Sequence, residues 1–327
     1  MTIEIVGGYP PIPRIVSGFY SLDRAFTNSD GDIGIPVGHG YEIFGLSGIG
    51  KSSFAYGFAG LIASHYSKDI VLCDFEGFDP NYVEKLLSVV GFSGKVNALR
   101  DEDDEKQLTK MVSLLKEDDY GVGIIDSVGA VSPIAERKAE LGEAVMGRRA
   151  YLMNQLARRC MHLFRFRDNE NPKTLLLINH WYPKVGGTKY EYITPGGEGK
   201  KFLASIRVLL RRKEKYPDGS YLLEGEVRKN RWGYEKRKFY VFMLAGFGIH
   251  KGLTAVMDGV ILGSVTKKNV IKIGDESMGR FSVLVKEAKK GNQEIFEPFY
   301  EVLNGDNKNT GIEPDGDEPS EDTEVQD

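Results

Sequence analysis

The chain has 327 residues, 41% of them hydrophobic, and a formal net charge of −4. That suits one large α/β domain with a smaller appendage. It excludes a membrane-spanning chain, since no apolar run approaches a span's length and no signal peptide opens the sequence. Two cysteines, Cys73 and Cys160, exclude a disulfide framework and a four-cysteine zinc site and read as core thiols of a reducing cytoplasm.

In chain order, residues 1–14 form a short N-terminal segment, with Ile3, Ile5 and Val6 suggesting a strand before three prolines. Ile15 to Phe26 reads as a turn plus helix with Ser21 as N-cap, and residues 27–39 as a loop. Gly40 to Phe44 is a short strand. Gly45, Leu46, Ser47, Gly48, Ile49, Gly50, Lys51 and Ser52 then match the P-loop pattern G-x-x-x-x-G-K-[ST] at every fixed position, and a helix follows from Ser53 to Ile62. In this context glycines let successive N–H groups face an anion, and the helix N-terminus adds positive potential. Lys51 would neutralise the β- and γ-phosphates, and the Ser52 hydroxyl would ligate Mg²⁺. The expected ligand is therefore a nucleoside triphosphate with Mg²⁺.

Asp69 to Glu76 is an apolar run ending in acids, as expected of a buried parallel strand whose C-terminal edge carries chemistry. Asp79-Pro80 opens a helix to Val90, and residues 101–119 form an amphipathic helix with an acidic start. Val122 to Asp126 is a second buried strand, whose terminal Asp126 suits the Mg²⁺ water shell. Residues 134–148 are a polar connection, Ala150 to Phe166 a helix, and Leu175 to His180 a third buried strand. The loop 181–199 interleaves Trp181, Tyr182, Lys184, Lys189, Tyr190 and Tyr192 with Gly186, Gly187, Gly196 and Gly197. Cations and aromatics on a glycine frame suit a single-stranded backbone with unstacked bases, and a solvated lid over the nucleotide is the alternative. Arg148, Arg149 and Arg158 would add phosphate contacts.

Phe202 to Leu210 reads as a strand, Asp218-Gly219 as a hairpin turn, and Glu224 to Asn230 and Lys238 to Leu244 as further strands. The expected architecture is α/β: a mostly parallel, doubly wound sheet with an antiparallel extension. The core would span 15–248, a small α/β appendage 249–304, and a disordered acidic tail 305–327. Phe281, Leu284, Phe296, Phe299 and Tyr300 would form the appendage core. Residues 313–327 hold eight acids and no base, so setting them aside turns −4 into +4 on residues 1–312. Such a tail can compete with nucleic acid for a basic surface or simply keep the chain soluble.

Taken together, these motifs resemble the RecA family of ATP-dependent recombinases over about residues 15–304. Val16 to Asp23 is similar to the family's segment before the P-loop, Phe75 to Tyr82 to its second-strand motif, and Ile125 to Val128 to its Walker B. Met146-Gly147-Arg148 resembles the end of the first DNA-binding loop, Ile178-Asn179-His180 the start of the second, Gly196 to Arg207 its close, and Arg228 to Arg231 the basic pair. The resemblance implies that Glu76 polarises the attacking water, although Asp74 offers a similar carboxylate. It implies that Tyr82 stacks on adenine, that Asp79 accepts from its amino group, and that His180 senses the γ-phosphate where many members carry an amide. Lys229 and Arg231 would reach a neighbouring protomer's γ-phosphate, and Phe202 would sit at that interface.

The implied protein is a P-loop ATPase that forms a homo-oligomeric helical filament, or a ring, on single-stranded DNA and pairs it with double-stranded DNA. Fewer than twenty residues precede the Val16 to Asp23 segment, where the family usually carries an N-terminal helix and strand, which bears on filament strength and geometry. A mediator or helicase-like motor of the same fold, a small-molecule P-loop kinase and a structural DNA-coating protein are the other readings.

Overall fold

The structure, a computed structural model, describes residues 11–140, 147–165, 168–183 and 192–306. The predicted strand at residues 3–6, Met146, Lys184, Lys189, Tyr190 and the acidic stretch 307–327 lie outside these residues. The chain opens with a short antiparallel pair, β1 (Arg14–Ile15) and β2 (Ile35–Pro36), flanking α1 (Tyr20–Ala25). The α/β core follows: β3 (Gly40–Gly45), α2 (Lys51–His65), β4 (Asp69–Asp74), α3 (Pro80–Ser88), β5 (Val96–Leu99), α4 (Asp104–Leu114), β6 (Tyr120–Asp126). Next come α5 (Ile134–Lys138), α6 (Arg148–Arg165), β7 (Thr174–His180), the pair β8 (Tyr182–Pro183) and β9 (Tyr192–Ile193), and α7 (Gly197–Leu203). Then β10 (Ala204–Lys215), β11 (Tyr221–Asn230), β12 (Lys238–Leu244) and β13 (Gly248–Ile249) complete the main sheet.

Nine strands make one sheet in the order β13-β12-β11-β10-β3-β7-β6-β4-β5. Pairing is parallel from β10 through β3, β7, β6 and β4 to β5, and antiparallel from β10 out to β13. This is the predicted doubly wound sheet with its antiparallel extension. Alternation explains how both faces are buried: Ile70 and Leu72 of β4 join one core with α2, while Val71 and Cys73 join the other. Leu176 and Ile178 of β7 side with the first, and Leu175 and Leu177 with the second. Both cysteines are free and buried.

Helix starts follow local chemistry. Asp79 caps α3, its side chain accepting from Asn81 N with Pro80 in the first turn, and Asp103 caps α4 by accepting from Glu105 N and Lys106 N. Ser21, in contrast, is not the cap of α1. Phe19 holds that position without a side-chain hydrogen bond, Asp23 accepts from Ser17 N and Gly18 N, and the Ser21 hydroxyl donates to Tyr240 O. The predicted strand from Phe202 is also corrected, because Gly197–Leu203 is helical and extended pairing starts at Ala204.

The C-terminal part has α8 (Lys251–Ile261), a three-stranded sheet of β14 (Val265–Lys267), β15 (Ile271–Ile273) and β16 (Glu276–Gly279), then α9 (Phe281–Lys289) and α10 (Glu297–Asp306). Leu284, Phe296 and Phe299 are buried in a cluster that also takes in Leu222, Phe242 and Leu244 of the main sheet, with Phe281 and Tyr300 partly buried beside it. Among the described residues no helix is long and apolar enough to cross a membrane.

Candidate nucleotide site and nucleic-acid surface

Four parallel strands end side by side; β7, β6 and β4 end in the polar residues His180, Asp126 and Asp74, and β3 ends in Gly45, the first residue of the P-loop. Register pairs Gly45 with His180 and Asp74 with Asp126. Crevices at the carboxyl ends of parallel strands are where open α/β sheets bind ligands. Here a cavity of about 350 Å³ is lined by Ser47, Gly48, Gly50, Lys51, Ser52, Ser53, Glu76, Asp126, Ile178, His180, Arg212 and Tyr221. Gly50 has φ +98 in the left-handed region, and a Cβ there would collide with the Tyr221 hydroxyl, so this loop needs glycine twice over. Leu46 is half exposed, and Ile49 packs against the α2-side core.

Lys51 is buried in the first turn of α2, where its Nζ donates to Leu46 O at 2.9 Å and meets His180 Nδ1 at 3.4 Å. Burial lowers its pKa, opposed by the nearby Glu76 and Asp126 carboxylates. His180 Nε2 lies 3.0 Å from Glu76 Oε1. An ammonium can only donate and a carboxylate only accept, so the neutral imidazole with the proton on Nε2 satisfies both contacts, an assignment made from the partners. Ser127 Oγ donates to the same Glu76 oxygen. Burial alone would raise the Glu76 carboxyl, but the hydrogen bonds from Ser127 and His180 and the charge of Lys51 outweigh it and hold it low. Both contacts fall on Oε1, which leaves Oε2 to accept a proton from water.

Asp74, the competing carboxylate, is engaged elsewhere. Its oxygens accept from Gly77 N at 3.0 Å and from Glu76 N at 3.3 Å, so it shapes the turn that presents Glu76. Asp126 Oδ2 accepts from the Tyr56 hydroxyl at 2.7 Å. Burial pushes its carboxyl up, opposed by hydrogen bonds from Tyr56 and Ser52. Its other oxygen, Oδ1, is buried with no partner among the described residues. An orphaned carboxylate oxygen beside the Ser52 hydroxyl fits a hydrated divalent cation, and Ser52 and Asp126 are the residues that would hold it.

The two residues expected to meet adenine lie outside the cavity lining. Tyr82 is partly exposed, with its hydroxyl 3.0 Å from Ser53 Oγ, and Asp79 is exposed and engaged as the cap of α3. Lys229 and Arg231 are far from this cavity's lining. Lys229 Nζ donates to Lys201 O and Ala204 O where α7 meets β10, and Arg231 is exposed, its backbone N donating to Ser205 O. Both therefore lie toward the start of β10, whereas the P-loop follows the carboxyl end of the parallel neighbour β3.

The ends of the two candidate DNA loops meet. Gly196 caps α7 with φ +103, and a Cβ on Gly197 would lie 2.7 Å from Ala150 Cβ in α6. Arg148 and Arg158 are exposed on α6, while Arg149 Nη2 pairs with Glu136 Oε2 at 3.1 Å. Trp181 packs edge-on to Phe44, with centroids 6.4 Å apart, and its backbone N donates to Gly45 O. That placement makes Trp181 part of the strand end, whereas the neighbouring Tyr182 is half exposed.

Sequence reasoning missed a buried charged cluster beneath this surface. Glu42 is fully buried and takes Arg207 Nε at 2.7 Å, Lys200 Nζ at 3.5 Å and Asn179 Nδ2 at 2.8 Å. Burial would raise the Glu42 carboxyl, but Arg207, Lys200 and Asn179 outweigh it and keep it below its usual value. Asn179 also donates to Pro195 O, so the strand carrying His180 is tied to the close of the second loop. Tyr56, Ser127, Arg212 and Tyr221 were missed as well. For Arg212 a signal existed: Ile206, Val208 and Leu210 face the α2-side core, which puts position 212 on the P-loop face.

Comparison with known proteins agrees with this geometry. A sequence model of the RecA N-terminal domain matches residues 9–232. The chain is 27% identical to Protein RecA of Chlorobium limicola over 300 residues, covering 88% of this chain and 81% of that one. It is 28% identical to Protein RecA of Porphyromonas gingivalis over 295 residues, covering 88% and 84%. A solved structure of the RadB recombinase aligns at TM-score 0.49 and 12% identity over 67% of this chain and 93% of that one, a likeness too weak to bear on the reading. The family model spans well over half of the sequence, and this chain belongs to the RecA family of DNA recombinases.

Proposed function

We propose that this chain is a DNA-dependent ATPase that coats single-stranded DNA as a helical filament and pairs it with homologous double-stranded DNA. The observation that carries the reading is the cavity in which Lys51, Glu76, Asp126 and His180 converge at four adjacent strand ends. ATP would bind with its phosphates on the Gly45–Ser52 loop and Lys51, and with adenine against Tyr82 and Asp79. The Mg²⁺ held by Ser52 and Asp126 would supply charge neutralisation of the phosphates. Glu76 orients and deprotonates the attacking water through Oε2, with Ser127 and His180 fixing its rotamer. Lys229 and Arg231 would complete a neighbouring protomer's site, so that turnover requires assembly.

The DNA surface would combine Arg148, Arg149, Arg158, Met146 and the loop containing Trp181, Tyr182, Lys184, Lys189, Tyr190, Gly196 and Gly197. His180, next to Asn179 and the Pro195 contact, supports a link between nucleotide state and that loop. The free, buried Cys73 and Cys160 support a reducing cytoplasm as its location. Electron microscopy of circular single-stranded DNA with a non-hydrolysable ATP analogue tests the assembly. A continuous helical coat that is absent with ADP is expected, and rings or bare DNA would contradict it.

A further inference from the structure

The antiparallel extension does more than prolong the sheet. Strand β3 stops at Gly45, whereas its parallel neighbour β10 pairs Leu209 with Phe44 and runs on to Lys215. Its last residues therefore overhang the P-loop. Arg212 Nη2 donates to Gly48 O at 2.5 Å, and its guanidinium sits 4.2 Å from the ring centroid of Tyr221, which itself abuts Gly50. The guanidinium is thus held over an aromatic ring with one N–H spent on a loop carbonyl. Its Nε is buried with no partner among the described residues, an expensive arrangement unless an acceptor arrives.

Arg212 also lines the cavity, where Lys51 is the other basic side chain of Lys or Arg type and Glu76 and Asp126 are the acids. Before any nucleotide binds, the two acids already offset the two bases. A polyphosphate therefore enters a cavity with little spare positive charge if Lys51 acts alone. Guanidinium forks suit phosphate oxygens and sit well over aromatic faces, and Arg212 lies over the Tyr221 ring.

We infer that Arg212 is a second cation for the nucleotide's phosphate chain, supplied by the same protomer. This rests on reading the cavity as the nucleotide site. The neighbouring Arg211 does not share the role, because it lies on the opposite face, pairing with Glu226 and lying 6.0 Å from the Trp181 ring.

The test is equilibrium titration of the full-length chain with fluorescent N-methylanthraniloyl-ATP and Mg²⁺, without DNA, alongside melting curves of the free proteins. Arg212→Met keeps the apolar stem on Tyr221 and removes the charge. It should weaken binding about tenfold while leaving the melting temperature of the free protein close to wild type. Arg212→Lys should recover part of that loss. Arg212→Met affinity within about twofold of wild type, with Lys51→Met clearly impaired, would overturn the inference and leave the nucleotide site standing. A lowered melting temperature with unchanged affinity would also overturn it, by making Arg212 a prop for the loop. Wild-type protein that binds no nucleotide would overturn the site reading, and the inference with it.

Discussion

Glu76→Gln should abolish ATP turnover while leaving ATP binding in place. Gln at this position keeps an oxygen to accept from Ser127 and from His180 Nε2, so the rotamer and the cavity's shape are preserved. It loses the second carboxylate oxygen, the one free to take a proton from water. General-base removal of this kind costs about 10²–10⁴ in rate. Steady-state phosphate release together with a nucleotide titration checks both halves. Asp74 cannot substitute in this structure, because its oxygens hold Gly77 N and Glu76 N. Substantial turnover in the Gln variant would therefore remove Glu76 from the mechanism.

Lys229→Ala should lower DNA-stimulated hydrolysis by about 10³-fold, the scale of a cation supplied in trans to a transferring phosphoryl group. Its own P-loop is untouched, since Lys229 Nζ donates to the carbonyls of Lys201 and Ala204 and lies outside the cavity lining. The defect should be complemented by an otherwise inactive partner. Lys51→Met protein keeps Lys229 and Arg231 but has a disabled P-loop. Mixed with Lys229→Ala protein on single-stranded DNA, it should restore hydrolysis above either protein alone. A mixture no better than its components, despite normal DNA binding, would locate Lys229's effect within its own protomer.

Much of the site was legible in the sequence because its determinants are local. The P-loop is a contiguous pattern. Buried parallel strands read as apolar runs, so Asp126 and His180 could be placed at strand ends before any coordinates. The parts that were not legible depend on distant packing. Gly197–Leu203 has two glycines and little helical propensity, yet it is helical with Lys200 buried against Glu42 and Gly199 pressed on Asn154 of α6. Glu42 looks like an ordinary polar position of a short strand. Its partners Asn179 and Arg207 are 137 and 165 residues away, and only the sheet order brings them together. Arg212 lies just past the predicted strand 202–210; the alternation of Ile206, Val208 and Leu210 could have given its face, but its target, a backbone carbonyl of the P-loop, is not specified by any residue type.

The buried Glu42 cluster also shows why nucleotide and DNA sites are expected to act together. Strand β3 leads into the P-loop, β7 ends in His180, and α7 closes the second loop. All three contribute to one set of buried hydrogen bonds. Displacing any one element would leave a buried charge unsatisfied, which strongly favours concerted rearrangement over independent motion.

The most direct test of this account is the rate of ATP hydrolysis measured with and without single-stranded DNA over a range of protein concentrations. The account predicts slow hydrolysis without DNA and strong stimulation with it. The stimulated rate should rise cooperatively with protein concentration, as sites completed between neighbours require, and vanish in Lys51→Met. A rate indifferent to DNA and linear in protein would contradict it, and would make the chain a self-contained P-loop enzyme acting on something other than DNA.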